Sequence, residues 1–359
     1  MHRPNLTEKD LRVMVVDDSS LYRKILLEAV SSIPGVGETS SAPNGEIALK
    51  KIPLFHPDIL LLDIEMPVLN GIEVLRLLKQ SNPGLPVVLI SGVSSRSADI
   101  TIEGLSLGAI DFIPKPSGND IKANISQIRD GLLSAFGAIK NVGTSAKTTI
   151  VQPSSFRSPS LLPTKIKLVG VGISTGGPGA LESFLPLLPA DFPVPILVVQ
   201  HMPPMFTASL ASMLDRRSAL NVMEAEQGQI LESGNVYFAP GGRHMLVRKQ
   251  QKGTESVFMT NLTDTPPINS CRPAVDPLFE SLAKTSGPNT LAIVMTGMGR
   301  DGLDGVRHVK SVNGYCLTQS AETCTIYGMP MAVDEAGLSD ESVALDQLAS
   351  KVVSITRGS

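Results

Sequence analysis

LRVMVVDD, residues 11–18, is a short valine-rich run that stops abruptly at two adjacent carboxylates. It is apolar at nearly every position rather than at every second one, which marks a strand buried on both faces, as in a parallel sheet covered by helices. Directly behind it, Ser20–Val30 places Leu21, Ile25, Ala29 and Val30 on one face of a helix. The same alternation continues through the apolar runs Asp58–Leu62 (DILLL), Leu85–Ile90 (LPVVLI) and Ala109–Ile113 (AIDFI). Strands that alternate with helical segments in this way build βαβ units.

From about Gly137 to Thr164 the pattern stops, and a Ser-, Thr- and Pro-rich stretch without a sustained period takes over. A second alternation opens with Lys167–Val171 (KLVGV) and continues in Pro195–Val199 (PILVV), Val236–Ala239 (VYFA) and Leu291–Met295 (LAIVM). No internal repeat is evident. The expected fold is α/β: two doubly wound parallel-sheet domains over residues 10–130 and 165–357, joined by a flexible linker over 137–164.

Composition agrees with two ordinary cores. The chain has 359 residues, 42% hydrophobic and 18% charged, which excludes a mainly disordered, fibrous or coiled-coil protein. Lys+Arg is 31 against Asp+Glu 34, so no global basic field favours nucleic acid, and none is expected as a partner. Three scattered cysteines, Cys271, Cys316 and Cys324, fit a reducing compartment better than a disulfide framework. The opening MHRPNLTEKDLR lacks the apolar stretch of a secretory signal, and no apolar run approaches the ~18 residues that span a bilayer. A cytoplasmic protein without membrane insertion is expected.

Asp17 and Asp18 follow the first strand and Asp63 follows DILLL. The carboxyl ends of strands in an open parallel sheet share one edge, so the three carboxylates converge there. Like charges that close need a cation, and oxygen ligands of this kind suit a hard divalent ion, Mg²⁺. Ser91 ends the next strand and Lys115 lies in the turn Pro114–Lys115–Pro116. A hydroxyl and an ammonium at that edge complete a site for a phosphoryl group on Asp63.

In the second domain, KLVGVGISTGGPGA (residues 167–180) runs from a strand into a glycine-rich turn. One reading is a nucleotide-phosphate cradle. Its spacing, G-x-G-x-x-x-G with no lysine behind it, argues weakly against that. The other reading is nucleophilic, because Gly172–Gly176 satisfies G-x-S-x-G and exposes the Ser174 hydroxyl on a sharp turn. His201 ends the strand PILVVQ and should reach the same edge as a general base. His244, in an expected hairpin, and His308, on an expected helix, are better explained as structural. Asp301, in the loop TGMGRDG after LAIVM, is placed to hold the histidine tautomer, with Asp276 and Asp304 as weaker competitors, and the same loop can offer an oxyanion N–H. No His/Cys/Asp group in this half has metal-ligand spacing, so no cofactor is expected there.

Two resemblances stand on these motifs. VVDDSSLYRK, LLLDIEMPVLNG, LISG and DFIPKP resemble two-component receiver domains, which implies a flavodoxin-like fold and phosphorylation of Asp63 by a histidine kinase. The resemblance also implies Mg²⁺ held by Asp18, Asp63 and the Glu65 carbonyl with Asp17 in support, phosphoryl contacts from Ser91 and Lys115, and Phe112 at the aromatic switch position. Phe112 lacks the hydroxyl of the tyrosine frequent there. GISTGGPGAL, VVQHMPPMFTASLA, VYFAPGGRHM, CRPAVDPLFESLA and VMTGMGRDG are similar to the catalytic domain of chemotaxis protein-glutamate methylesterases. That similarity implies a Rossmann-like, three-layer esterase domain with Ser174 as nucleophile, His201 as base and Asp301 as its orienter. Thr175 would help position the histidine and the Met298 amide would line the oxyanion hole. The implied function is phosphorylation-activated hydrolysis of glutamate methyl esters on the cytoplasmic helices of methylated chemoreceptors, with receptor glutamine deamidation as a related activity.

Overall fold

The computed structural model describes residues 11–116, 118, 120–143, 165–252 and 255–358. They form two compact units, each built on a parallel sheet.

In the first unit the strands are β1 (Leu11–Val16), β2 (Val36–Ala42), β3 (Ile59–Asp63), β4 (Val87–Ser91) and β5 (Asp111–Pro114). They run parallel in the order β2-β1-β3-β4-β5. The helices between them are α1 (Ser20–Ser31), α2 (Gly45–Phe55), α3 (Gly71–Ser81) and α4 (Ser95–Ser106), and α5 (Ile121–Gly143) closes the unit. Val13, Val15, Ile59, Leu61, Val88 and Ile90 pack on one face against Ile25, Leu26 and Ala29 of α1 and Ile128, Leu132 and Phe136 of α5. The alternate residues Met14, Leu60, Leu62 and Leu89 are as deeply buried on the other face, which is why these runs are apolar at every position. Leu21 departs from the expected apolar face of α1: it is 55% exposed. α5 continues to Gly143, past the start of the linker read from composition; residues 144–164 lie outside the described residues.

The second unit holds a seven-stranded parallel sheet in the order β14-β13-β12-β6-β7-β9-β8. Its strands are β6 (Leu168–Ile173), β7 (Ile196–Gln200), β8 (Asn221–Glu224), β9 (Asn235–Phe238), β12 (Thr290–Val294), β13 (Tyr315–Gln319) and β14 (Glu341–Val343). An antiparallel hairpin, β10 (His244–Lys252) and β11 (Glu255–Thr263), stands apart from the sheet. The helices are α6 (Gly177–Phe184), α7 (Phe206–Asp215), α8 (Val275–Ser286), α9 (Leu303–Ser311), α10 (Met329–Glu335) and α11 (Leu345–Arg357). One sheet face (Leu197, Val199, Ala292, Val294, Cys316) packs against Val275, Leu278, Phe279 and Leu282 of α8, Val306 and Val309 of α9, and Val333 of α10. The alternate residues Val169, Val171, Val198 and Ile293 are fully buried on the opposite face.

The two glycines inside β6 serve this packing. A Cβ on Gly170 would overlap Leu282 and Phe279, and one on Gly172 would overlap Val275. They let α8 lie close over the centre of the sheet, so a pattern reminiscent of a phosphate cradle is explained by helix-on-strand approach. In each sheet the strand order reverses between neighbours, at β1/β3 in the first and β6/β12 in the second. Ligand crevices in open α/β sheets form beyond the carboxyl ends of strands at such points.

Candidate active site

At the β1/β3 crevice, Asp17 follows β1 and Asp63 is the last residue of β3. Asp17, Asp18 and Asp63 present carboxylate oxygens within 4.8 Å of one another. Lys115 Nζ, just after β5, lies 2.9 Å from Asp17 Oδ2 and 2.8 Å from Asp63 Oδ2. Burial pushes Asp63 up to about 6, with Lys115 opposing and the charges of Asp17 and Asp18 adding to the rise. Burial alone would lower Lys115, but Asp63 and Asp17 outweigh it and hold the ammonium above its usual value. Asp17 Oδ2 and Asp63 Oδ2 are buried, and among the described residues the Lys115 ammonium is the partner they share. Two such oxygens beside the exposed Asp18 fit a hard cation such as Mg²⁺.

Ser91 is buried at the end of β4, but its hydroxyl is engaged by Thr101 Oγ1 at 2.6 Å and the Gly92 carbonyl at 3.1 Å. Phe112 lies on β5 opposite Leu89. The Glu65 side chain accepts from Ser97 Oγ at 3.2 Å. Tyr22, which carried no signal in the sequence, frames the lysine: Lys115 Nζ sits 4.9 Å from its ring centroid, and its hydroxyl donates to the Pro116 carbonyl at 2.9 Å.

At the β6/β12 crevice the serine turn and the histidine are tied together by backbone. Ser174 N–H donates to the Thr296 carbonyl (2.9 Å) and His201 N–H to the Ile173 carbonyl (3.1 Å). Gln200, buried at the end of β7, donates from Nε2 to the carbonyls of Ser174 (3.0 Å) and His201 (3.3 Å). Nothing local in the sequence marks a strand-end glutamine as a staple between two turns. The Thr175 carbonyl accepts from Thr296 Oγ1 at 3.0 Å, and among the described residues the Thr175 hydroxyl makes no hydrogen bond to His201.

His201 and Asp301 meet: Nε2 lies 2.7 Å from Asp301 Oδ2. Both side chains are nearly enclosed, at 11% and 3% exposed. Asp301 Oδ2 also accepts the Val275 N–H (2.6 Å), and Oδ1 accepts Asn269 Nδ2 (3.1 Å), Asp276 N–H (3.2 Å) and Gly302 N–H (3.0 Å). The N-terminus of α8 thus points at the carboxylate, where backbone N–H groups and the helix dipole favour negative charge. Burial opposes the charge, but His201 and these donors prevail and Asp301 falls to about 2. Burial also opposes the imidazolium, yet Asp301, together with the Cys271 thiol beside the ring, pushes His201 up to about 9. Since Nε2 is committed to Asp301, Nδ1 is the nitrogen left for Ser174. No Ser174–His201 hydrogen bond is formed among the described residues, which is common before substrate binds.

Asp276, weighed in the sequence as a competitor for the orienting role, instead braces the loop after β12. Its Oδ1 accepts Gly302 N–H (3.0 Å) and Gly305 N–H (2.7 Å). Burial and the neighbouring Asp301 push it up to about 6 against the Gly305 N–H. Met298 is exposed, and its N–H has no acceptor among the described residues, so it is free for an oxyanion. A Cβ on Gly297 would come 2.7 Å from the Ser174 Cβ, so only glycine lets this loop lie against the serine. The Tyr327–Pro330 segment, without assigned chemistry in the sequence, holds that glycine: Gly297 N–H donates to Ile326, and its carbonyl accepts from Gly328 and Met329.

His244 is fully buried and bridges the 264–275 loop, with Nε2 3.1 Å from the Pro266 carbonyl and Nδ1 accepting the Ala274 N–H at 3.1 Å. His244→Ala leaves a cavity and two unsatisfied backbone groups, an expected loss of about 3 kcal/mol, readable as a lower midpoint in denaturant unfolding. An unchanged midpoint would mean that the loop holds without it. His308 is exposed on α9.

Comparison with known proteins bears on both crevices. The family model for the response regulator receiver domain matches residues 13–126, and that for CheB methylesterase matches residues 169–352. A protein-glutamate methylesterase/protein-glutamine glutaminase of Desulfotalea psychrophila is 41% identical, over 96% of this chain and 98% of its own. One of the same description from Geobacillus kaustophilus is 39% identical, over 97% of this chain and 99% of its own. The crystal structure of the Thermotoga maritima CheB methylesterase catalytic domain matches with a TM-score of 0.51 at 41% identity, covering 53% of this chain and 99% of that one.

Proposed function

The chain belongs to the CheB methylesterase family, with a receiver domain ahead of the catalytic domain, and from that premise we propose how its two crevices divide the work. The protein is a hydrolase of glutamate methyl esters on chemoreceptors and a protein-glutamine glutaminase, regulated through its receiver. Ser174 Oγ attacks the ester carbonyl while His201 Nδ1 takes its proton. The oxyanion of the tetrahedral intermediate is met by the Met298 N–H and by the N–H of Thr175, the residue after the nucleophile. His201 then returns the proton to the departing methanol, and water hydrolyses the glutamyl–serine ester by the same route in reverse. Deamidation differs only in the leaving group, ammonia, so one site serves both. The observation that carries this reading is the 2.7 Å His201–Asp301 pair at the switch point that also holds Ser174.

In the receiver, Asp63 accepts a phosphoryl group from a histidine kinase, and Lys115, already poised over Asp63, follows the charge onto it. Asp18, Asp63 and the Glu65 carbonyl, with Asp17 in support, would hold Mg²⁺, which would supply positive charge beside the phosphoryl oxygens. Ser91 contacts the phosphoryl group after turning its hydroxyl from Thr101, and Phe112 takes the switch position. The catalytic unit itself works without a cofactor. The functional domains are residues 10–130 and 165–357, and the substrate is the methylated cytoplasmic helices of chemoreceptors. No described helix is long and apolar enough to cross a membrane, and a cytoplasmic site of action suits those helices.

The test is methanol release from methylated chemoreceptor membranes, with and without acetyl phosphate and Mg²⁺. Stimulation by the phosphodonor is expected in the wild type and absent in Asp63→Asn. Stimulation that survives this substitution would place the phosphorylation elsewhere, and no release from folded, phosphorylated protein would overturn the reaction.

A further inference from the structure

We propose that Asn269 is a positioning residue for the catalytic relay: its side-chain amide bridges Asp301 and Asp276 and holds the Asp301 carboxylate in the orientation that receives His201. The inference rests on the functional reading above and extends it to a group with no expected contact with substrate. Asn269 Nδ2 lies 3.1 Å from Asp301 Oδ1 and 3.0 Å from Asp276 Oδ2. An amide NH₂ has two hydrogens and no negative charge, so it can satisfy two carboxylates at once. Asp276 and Asp301 are like charges side by side, and Asp276 already sits near 6 through burial and that proximity. A donor shared between them reduces their repulsion and keeps Asp301 from rotating toward solvent.

The backbone is shaped for this task. Ile268 and Cys271 exchange both backbone hydrogen bonds (3.0 and 2.8 Å), and the two residues between them, Asn269 and Ser270, have φ of 52° and 63°. A two-residue turn with positive φ at both centres is the tight hairpin type that favours asparagine at its first centre. His244 bonds the loop on both sides of this turn, at Pro266 and Ala274. The titratable groups around the amide are Asp276 on α8, Asp301 after β12 and, through Asp301, His201 at the end of β7 with Cys271 beside it. Arg272 is turned to the carbonyls of Asp264 and Thr265. Such a group acts on the reaction only through Asp301, so its loss should lower kcat and leave KM unchanged.

The experiment uses the full-length chain. Asn269→Gly removes the amide at a position where glycine is at ease with positive φ, which keeps the turn. Its kcat for methanol release should fall about 10-fold at unchanged KM, a size typical of supporting hydrogen bonds. Asn269→Asp places a third carboxylate against the pair. Its kcat relative to wild type should be lowest at high pH and recover as pH falls, because a proton taken up by the cluster restores a donor. A purely structural role would leave that ratio flat. A substrate-free readout accompanies both variants. The chain has five histidines, and in protein labelled with ¹⁵N-histidine the His201 Nε2 proton facing Asp301 should move upfield or broaden in Asn269→Gly. Unchanged kcat, a flat ratio for Asn269→Asp, or an unmoved Nε2 proton would each overturn the proposal. Wild-type protein that releases no methanol would overturn the functional reading instead, and the Nε2 proton would still decide the role of Asn269.

Discussion

Ser174→Ala is expected to lower kcat for methanol release by roughly 10⁶-fold, the scale seen when a triad nucleophile is removed. Ser174 leaves the central strand β6 at the strand-order reversal, its N–H anchored on Thr296 and its carbonyl on Gln200. Glycine at 297 lets the loop that carries the Met298 N–H, without an acceptor among the described residues, lie against it. A second nucleophile deserves a direct control, because Cys271 also lies beside the His201 ring. The other two thiols are no rivals: burial pushes Cys324 up to about 12 and Cys316 higher still, so both stay protonated. Methanol release is measured for Ser174→Ala and Cys271→Ala in parallel. Loss in the first and retention in the second fits the serine assignment. The reverse pattern would transfer the nucleophile to Cys271.

Asp301→Asn should cost about 10⁴-fold in kcat through the wrong histidine tautomer. The donor arrangement around the carboxylate explains why. Oδ1 faces three N–H donors and Oδ2 faces two, one of them His201 Nε2. An amide places its oxygen where most donors point, so its NH₂ turns toward His201. That NH₂ donates to Nε2, which moves the ring proton to Nδ1, the nitrogen that should accept from Ser174. The pH profile offers a second reading. His201 must be neutral to take the serine proton, so the wild-type rate falls as pH drops through its pKa, which Asp301 and Cys271 raise toward about 9. Without the Asp301 charge that midpoint moves down. A kcat within tenfold of wild type, or a midpoint that does not move, would remove Asp301 from the relay.

Much of this was legible in the chain itself. Strands buried on both faces announce themselves as continuous apolar runs, and β1, β3, β4, β6, β7, β9 and β12 are visible for that reason; β5 shows the same pattern, yet only Ile113 of its four residues is buried. The polar edge strand β2 (VGETSSA) was not, since only its last residue is buried. β13 (YCLTQ) is wholly buried yet mixes polar residues whose partners come from elsewhere, such as Gln319, which receives the Thr296 N–H.

The division at the two crevices has the same origin. A residue directly after a buried strand must lie at the carboxyl edge of the sheet, so Asp17, Asp63, Ser174 and His201 could be placed from local sequence alone. Which partners meet them depends on contacts between segments far apart in the chain. Asn269 reaches Asp301 across 32 residues, the α8 N-terminus reaches it across 26, and Gln200 reaches the Ser174 carbonyl across 26. No local periodicity records such distances. They follow from how closely α8 can lie on β6, and that depends on two missing side chains, at Gly170 and Gly172, whose meaning appears only when the helix is in place.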